Sequence, residues 1–348
     1  MNVDYIIVGQ GICGSFLGYY LMQENQSVYV IDEYKTNTAS RVASGVINPV
    51  TGRRIVKTWK IDELMPFAKK AYADISNRLA IENVIKEISV LDIHTSRQMQ
   101  QAFEKRLQEN EDAYIHSCEN ENAWHEYFNF EHGIGKISPA YCIDLNSLLK
   151  AYRNHLNKPE RLSDQRFNEN DLQLKDDFVV YKNIIAKKII FCDGIHSVQN
   201  SYFRHLPFAL NKGEALIVSI PGLPGNFIYK QGFSIVPSGD DLFWIGSTYE
   251  WNFENDLPTN AFKERVSNYL KSYLKIPFEI KDHYAALRPA NTERRPFAGL
   301  HHVHTQIGIL NGMGTKGCSL APYYAHQLTQ HLIYNTPVDE EADIKRFG

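Results

Sequence analysis

Two hydrophobic periods alternate along this chain. Short unbroken apolar runs rich in β-branched residues, 4–8 and 28–31, predict buried strands. Between them Phe16, Leu17, Tyr20 and Leu21 recur at helical spacing and predict a helix over 15–23. A longer amphipathic pattern, with Leu64, Phe67, Ala68, Ala71, Tyr72 and Ile75 on one face, predicts a helix over 62–79. A strand over 84–93 and a charged helix over 96–110 follow, the latter with Phe103 and Leu107 on its buried side. Residues 111–137 have no clear period but carry Trp124, Tyr127, Phe128 and Phe130, a patch that reads as core or lid. A strand pattern returns at 140–143, and Asp144 is placed to cap a helix over 145–156. Short strands fill 172–192. An antiparallel block over 206–250, with strands at 214–220, 227–230, 233–236 and 242–248, is punctuated by Pro221, Pro224, Pro237 and a turn at Gly239-Asp240. A helix over 260–274, a strand over 306–310 and a helix over 319–333 complete the pattern.

The chain has 348 residues, enough for two domains or one elaborated domain. Its net charge of −3 leaves no overall electrostatic footprint for nucleic acid. Five cysteines, scattered and without a Cys-x-x-Cys, point to neither a disulfide framework nor a zinc site. The first strand begins by residue 4 and leaves no room for a signal peptide, and no run of about twenty apolar residues exists to span a membrane. A cytoplasmic protein is expected.

The strand over 4–8 runs straight into Gly9, Gly11 and Gly14, spaced Gly-x-Gly-x-x-Gly, and the second strand ends in Asp32. This is the order a dinucleotide fold requires. Gly9 permits the sharp turn, Gly11 lets a pyrophosphate approach the backbone, and Gly14 lets the helix pack on the sheet. The helix N-terminus offers free N–H groups and positive partial charge to phosphates. Asp32, eighteen residues beyond Gly14, is placed to accept hydrogen bonds from ribose hydroxyls, which makes NADP the least favoured dinucleotide. FAD and NAD both remain open on this stretch.

Further along, the segment from Ser40 to Pro49 is rich in small residues and either lies against a ligand or is an ordinary loop. Arg53, Arg54 and Lys57 form a small basic cluster, either facing an anion or solvated. The strand ending at Phe191 meets Cys192-Asp193-Gly194, a position where ligands lie beyond the strand's carboxyl end. Near the C-terminus a strand leads into Asn311 to Gly317 and then a helix, a second helix N-terminus able to face an electron-rich group. Two such turns at opposite ends of one chain suit a cofactor as long as FAD. His301, His302 and His304 lack acidic or cysteine partners nearby and read as a polar turn.

Taken together these stretches resemble the D-amino-acid oxidase-like FAD-dependent oxidoreductases, the family of glycine oxidase, sarcosine oxidases and D-amino-acid dehydrogenases. Val-Gly-Gln-Gly-Ile-Cys-Gly (8–14) with Val-Ile-Asp (30–32) matches the family's ADP-binding fingerprint. Phe-Cys-Asp-Gly (191–194) resembles its strand-end element, and Lys-Gly-Glu (212–214) with 236–250 resembles its substrate-domain sheet. Leu-Arg-Pro (287–289) and Gly-Met-Gly-Thr-Lys-Gly (312–317) resemble its flavin-end motifs.

The resemblance implies an α/β fold: a Rossmann-like FAD-binding domain assembled from residues 1–80, 138–208 and 283–348, and a mostly antiparallel substrate domain from 81–137 and 209–282. It implies FAD contacts at Gly9, Gly11, Ile12, Cys13 and Gly14, at Asp32 and Glu33, and at Ser40, Arg41, Ser44, Gly45 and Val46. It adds Cys192, Asp193 and Gly194, and Gly312, Met313, Gly314, Thr315, Lys316 and Gly317 against the flavin ring. Arg288 matches the arginine that pairs with a substrate carboxylate, a task suited to a guanidinium fork. Lys316 stands where it would stabilise the reduced flavin, or is a solvated lysine. Tyr229 and Tyr249 would close the substrate pocket, or pack in the sheet.

The implied chemistry is hydride transfer from a substrate Cα to flavin N5, with hydrolysis of the imine, which needs positioning more than a strong base. No cysteine lies between Asp282 and Gly317, so FAD is expected to be noncovalent. Trp244 replaces the lysine that activates oxygen in some members, and the residue near Ser234 replaces the tyrosine of glycine oxidase. These departures leave the electron acceptor and glycine as substrate in question. The 314–322 stretch also looks like the oxidase domain that acts on carboxymethylaminomethyl-uridine in tRNA, with Arg53, Arg54 and Lys57 as its local basic cluster. A non-catalytic dinucleotide-binding protein is the remaining alternative. The expected partner is a small amine or amino acid, and a homo-oligomer is compatible with the pattern.

Overall fold

The strand Asn2–Val8 is the centre of the first of two large sheets; the computed structural model describes residues 1–109, 113–158 and 160–347. Asn2–Val8 pairs in parallel with Val28–Ile31 on one side and Ile184–Phe191 on the other. Ile307–Asn311 lies parallel beyond Ile184–Phe191, and the short strand Leu162–Ser163 beyond Val28–Ile31. Ile6, Ile7, Val30, Ile189, Ile190 and Ile309 are fully enclosed, which is why these strands read as continuous apolar runs. Antiparallel strands Leu172–Leu174, Val179–Tyr181 and Phe297–Leu300 extend the sheet.

One face of this sheet is covered by three helices, Ile12–Gln23, Ile61–Leu79 and Gly317–Tyr334. Ile61–Leu79 buries the apolar stripe expected of it, with Leu64, Ala68, Tyr72 and Ile75 at 0% exposure, so its placement against the core follows from the 3.6-residue period. Phe16 meets Tyr72 edge-on at 5.1 Å, and the Tyr72 hydroxyl donates to the Cys318 carbonyl at 3.0 Å, tying all three helices together. Asp144 caps the helix Leu145–Asn157, accepting from the Ser147 N–H at 3.0 Å.

The second sheet runs Glu279–Arg288, Asn211–Ser219, Leu242–Gly246, Phe233–Gly239, Phe227–Gln231, Ile85–Ile93, Ile134–Ile143 and Val46–Ile47. It is antiparallel except where Phe227–Gln231 meets Ile85–Ile93 in parallel. The helix Asn260–Tyr273 packs Phe262, Val266 and Leu270 on one face of it. Stretches 138–143 and 283–288, expected with the dinucleotide-binding segments, pair within this second sheet.

Several expectations need correction. The stretch 111–137 is less irregular than its composition implied: it contributes the strand Ile115–Ser117 and the first part of Ile134–Ile143, hidden by glycine at 133 and 135. Gly135 is needed where it stands, because a Cβ there would fall 2.2 Å from the Phe103 ring. Strands Glu279–Arg288 and Phe297–Leu300 also escaped, the first because its exposed face is charged, the second because it is four residues long. Leu107, expected on a buried side, is 37% exposed; the helix Arg97–Glu109 buries only Met99 and Phe103. Asn110, the expected end of that helix, and the first residues of the 111–137 stretch lie outside the described residues. The aromatic patch is core: Phe128 is fully buried against Tyr229 and Tyr273.

Candidate active site

A single cleft of about 680 Å³ runs between the two sheets and gathers the ends of the elements just described. That size is typical of a large-ligand site, roughly 300–1,000 Å³. It begins where Asn2–Val8 ends. Gly9 adopts φ +98°, and a Cβ on it would lie 2.5 Å from the Cys192 carbonyl oxygen. The two strand ends therefore meet with no side chain between them, held by the Cys192 N–H donating to the Val8 carbonyl at 2.7 Å. A Cβ on Gly14 would sit 1.9 Å from the Gly9 carbonyl oxygen, so this residue serves the close turn and does not line the cleft. Ile12 and Cys13 open the helix against the cleft, and the Ile12 N–H donates to Ser40 Oγ at 3.1 Å. Burial pushes the Cys13 and Cys318 thiols up to about 12, so these two cysteines pack and do not react.

Asp32 lines the cleft one strand over. Its Oδ1 accepts from the Gln10 N–H at 3.0 Å, and its Oδ2 accepts from the Tyr34 N–H at 3.0 Å and from Arg153 at 2.9 Å. Glu33, Arg41, Ser44 and Val46 join the wall, Glu33 paired with His196 at 2.9 Å and Lys35 at 3.1 Å. Gly45 does not; its positive φ lets the segment pass against the Ile143 backbone, where a Cβ would clash at 2.0 Å.

The far end is built by Met313, Gly314, Thr315, Lys316 and Gly317 at the start of Gly317–Tyr334. The Lys316 carbonyl accepts from the N–H groups of Ser319 and Leu320 at 3.1 and 3.0 Å, fixing the helix entry. Burial, then the nearby Arg295 and Arg294, lower the pKa of Lys316 below the ordinary lysine value. Gly312 lies just behind the wall, its carbonyl accepting from Asn291 at 2.9 Å. Asp193 and Gly194 connect the two ends. Asn311 Nδ2 donates to the Gly194 carbonyl at 2.8 Å and Ser197 Oγ at 2.9 Å, and Ser197 in turn donates to Asp193.

Above the far end the second sheet presents Arg288. Its Nη1 donates to Asn211 Oδ1 at 2.6 Å and the Thr248 carbonyl at 3.0 Å, and its Nη2 donates to Ser247 Oγ at 2.7 Å. Every one of these partners is neutral, and among the described residues no carboxylate pairs with Arg288. Burial lowers its pKa from the ordinary guanidinium value, with Tyr249 opposing that shift, but an arginine remains charged. Tyr249 lines the same end with its ring centroid 5.0 Å from the guanidinium. Tyr229 does not belong here. It is wholly buried on the opposite side of the second sheet, its hydroxyl donating to the Pro224 carbonyl at 2.7 Å among Trp124 and Phe128. Alternation along Phe227–Gln231 decides this: Lys230 faces the cleft, so Tyr229 faces away.

Gln10, Lys230, Ser247 and Asn211 were not singled out by sequence. Lys230 lines the cleft while paired with the buried Asp92 at 3.0 Å; only strand phase would have found it. Trp244 also lines the cleft and donates from Nε1 to the Val42 carbonyl at 2.9 Å. The histidines at 301–304 form a turn in which His301 Nδ1 accepts from the N–H groups of Val303 and His304, each at 3.1 Å. Among the described residues no cluster of three His, Cys, Asp or Glu is arranged to hold a metal.

These residues fit a long anionic cofactor. Glycines leave backbone bare at two places, two helices of twelve and eighteen residues open onto one cleft, and the Thr38 Oγ1 atom is buried in its wall without a partner. The model of the FAD dependent oxidoreductase family matches residues 4–331, and the chain belongs to that family. Among solved structures it is similar to glycine oxidase from Geobacillus kaustophilus, at 16% identity and a TM-score of 0.78 over 100% of this chain and 98% of that one. It is similar to iminodiacetate oxidase from Chelativorans sp. at 18% identity, with a TM-score of 0.76 over 97% and 98%. L-amino acid deaminase from Proteus vulgaris matches at 13% identity, with a TM-score of 0.79 over 100% and 96%. These likenesses establish a shared fold. The protein is an FAD-dependent oxidoreductase. Among its described residues no helix is long and apolar enough to cross a membrane.

Proposed function

We propose that this enzyme oxidises the C–N bond of an amino acid or N-substituted glycine, using noncovalent FAD. The observation that carries the reading is Arg288, a half-buried charge on the cleft wall whose partners are all neutral. A partly desolvated guanidinium with no carboxylate of its own favours one brought by a ligand. When bound, FAD supplies the acceptor for the substrate's hydride. The chain's residues supply position: Arg288 holds the carboxylate, Asn211 and Ser247 keep the guanidinium aimed, and Tyr249 covers it on the open side. Gly9, Gly11 and the first helix N-terminus receive the pyrophosphate, with Gly14 keeping their turn closed. Asp32 receives the ribose, and Met313 to Gly317 receive the ring, with Lys316 beside it. The absence of cysteine from residues 283–316 supports noncovalent attachment.

In this reading the segments of the first sheet form the FAD-binding unit and those of the second the substrate unit, in a cytoplasmic enzyme acting on a small molecule. Iminodiacetate oxidase and glycine oxidase, among the similar structures, act by name on N-substituted glycine or glycine, which agrees with the proposed substrate class. The test pairs each carboxylated amine with its decarboxylated analogue as a flavin reductant. Reduction by sarcosine or an α-amino acid but not by the matching simple amine supports the reading; equal reduction by both sinks it.

A second reading, an N-substituted glycine carried on tRNA, is favoured by one observation. Arg53 and Arg54 are exposed at the tip of the hairpin Val50–Thr51 and Val56–Lys57, next to Thr51 and Gly52 on the cleft wall. RNA binding that weakens steeply with salt and with Arg53→Ala would support it; no measurable RNA binding at low salt would exclude it.

A further inference from the structure

The acid that ends the strand Val28–Ile31 is not free to turn both of its oxygens toward a ligand. Arg153, from the helix Leu145–Asn157, is only 7% exposed and reaches across to it. Its Nη1 donates to Asp32 Oδ2 at 2.9 Å and to Gln10 Oε1 at 3.2 Å, while Nη2 pairs with Asp164. Asp32 Oδ2 also accepts from the Tyr34 N–H, so both of its acceptor positions are filled. Among the described residues Oδ1 accepts only from the Gln10 N–H, which leaves one acceptor position. Gln10 is locked in turn, its Nε2 donating to Ser15 Oγ at 3.1 Å and the Leu149 carbonyl at 3.0 Å. On the outer side two guanidinium groups lie over the Tyr34 ring, Arg153 at 4.4 Å and Arg41 at 4.6 Å from its centroid.

We infer that Arg153 is a positioning residue that occupies Asp32 Oδ2 and reserves Oδ1 for a single ribose hydroxyl of the bound nucleotide. The inference rests on the FAD reading and goes beyond it. A free carboxylate at this place would accept both the 2′- and the 3′-hydroxyl, one per oxygen. Held as it is, Asp32 has a position for one donor, and the nucleotide loses one bond if that hydroxyl is missing and none if the other is. Arg153 does this from a helix more than a hundred residues along the chain, with Asp164 balancing its second arm.

The test uses the full-length apoprotein. ADP, 2′-deoxy-ADP and 3′-deoxy-ADP compete with FAD, read by flavin fluorescence. In the wild-type protein one deoxy nucleotide binds about ten-fold or more weakly than ADP, the loss expected for a hydrogen bond to a charged group. The other binds nearly as well as ADP. In Arg153→Met the two deoxy nucleotides converge, because both oxygens are then open. Arg153→Lys, which retains a cation but cannot hold Asp32 and Asp164 with one fork, shifts the ratio the same way and serves if the methionine variant does not fold. A merely structural role would weaken all three nucleotides together and keep their ratio, which would overturn the inference. So would equal binding of both deoxy nucleotides by the wild-type protein. A wild-type protein that takes up no FAD at all would instead remove the cofactor reading on which the inference stands.

Discussion

Gly213 and Arg288 occupy neighbouring strands so closely that a Cβ on Gly213 would lie 1.8 Å from Arg288 Nη2. The guanidinium lies flat across the bare backbone of Asn211–Ser219, and Asn211, two residues earlier on the same face, accepts from its Nη1. A glycine in a strand interior weakens the strand and marks the close approach of another group; here that group is the cleft's arginine.

Gly213→Ala therefore displaces the guanidinium rather than the strand. The expected result is a raised KM for carboxylated amines with flavin content and the wild-type spectrum retained. Steady-state kinetics together with the flavin-to-protein ratio check it. A KM unchanged within error would mean that the guanidinium does not need this track.

Arg288→Ala removes the charge itself. One charge-assisted pair is worth about 1.5–3 kcal/mol, so kcat/KM for a carboxylated amine should fall about ten- to a hundred-fold, while a decarboxylated analogue is affected little. Unchanged kinetics would separate Arg288 from the substrate.

Gly14→Ala probes the other end. Its Cβ would meet the Gly9 carbonyl oxygen at 1.9 Å, a backbone atom that cannot swing aside, so the turn must open. Overpacking of this kind costs about 1–3 kcal/mol, and the cost falls on the turn proposed to receive the pyrophosphate. The variant should melt at lower temperature and purify with little flavin. Full flavin content would show that the fingerprint turn tolerates a methyl group.

Asp193 links stability to pH. Burial raises its carboxyl from the ordinary 3.8 to about 7, outweighing the hydrogen bond from Ser197. The folded protein thus keeps a proton that the unfolded chain loses near pH 4. The stability that this proton contributes is complete below 3.8 and is lost as pH rises through about 7. The apoprotein's melting temperature should decline between about pH 4 and 7, and Asp193→Asn, neutral throughout, should flatten the decline. Parallel curves for the two proteins would contradict the assignment.

The parts of this architecture legible in the sequence are those where local chemistry and tertiary role coincide. Gly9, Gly11, Gly14 and Asp32 announce a nucleotide turn because each residue type answers a steric or hydrogen-bonding need within thirty residues. The helix Ile61–Leu79 was legible because one face is buried and the other solvated. Tyr229 was misplaced because adjacent strand residues face opposite ways, and residue type does not reveal the phase. Arg288 was picked out by its motif and lines the cleft, whereas its partners Asn211 and Ser247 were not picked out: one lies on the neighbouring strand, the other just past the end of Leu242–Gly246, and only the folded sheet brings them together. Arg153 was invisible for the same reason, since an arginine on an amphipathic helix ordinarily faces water.

In the proposed function one cleft joins noncovalent FAD to a carboxylated amine held by Arg288. Its most direct test is the absorbance spectrum of the purified protein, before and after acid precipitation, followed by anaerobic titration with sarcosine, glycine and a panel of D- and L-amino acids. The expected result is a yellow cofactor released into the acid supernatant, and bleaching of the native protein by at least one carboxylated amine but not by its decarboxylated analogue. A flavin that stays with the precipitate would contradict noncovalent binding. A flavin that no carboxylated amine bleaches, or that simple amines bleach equally well, would contradict the role given to Arg288.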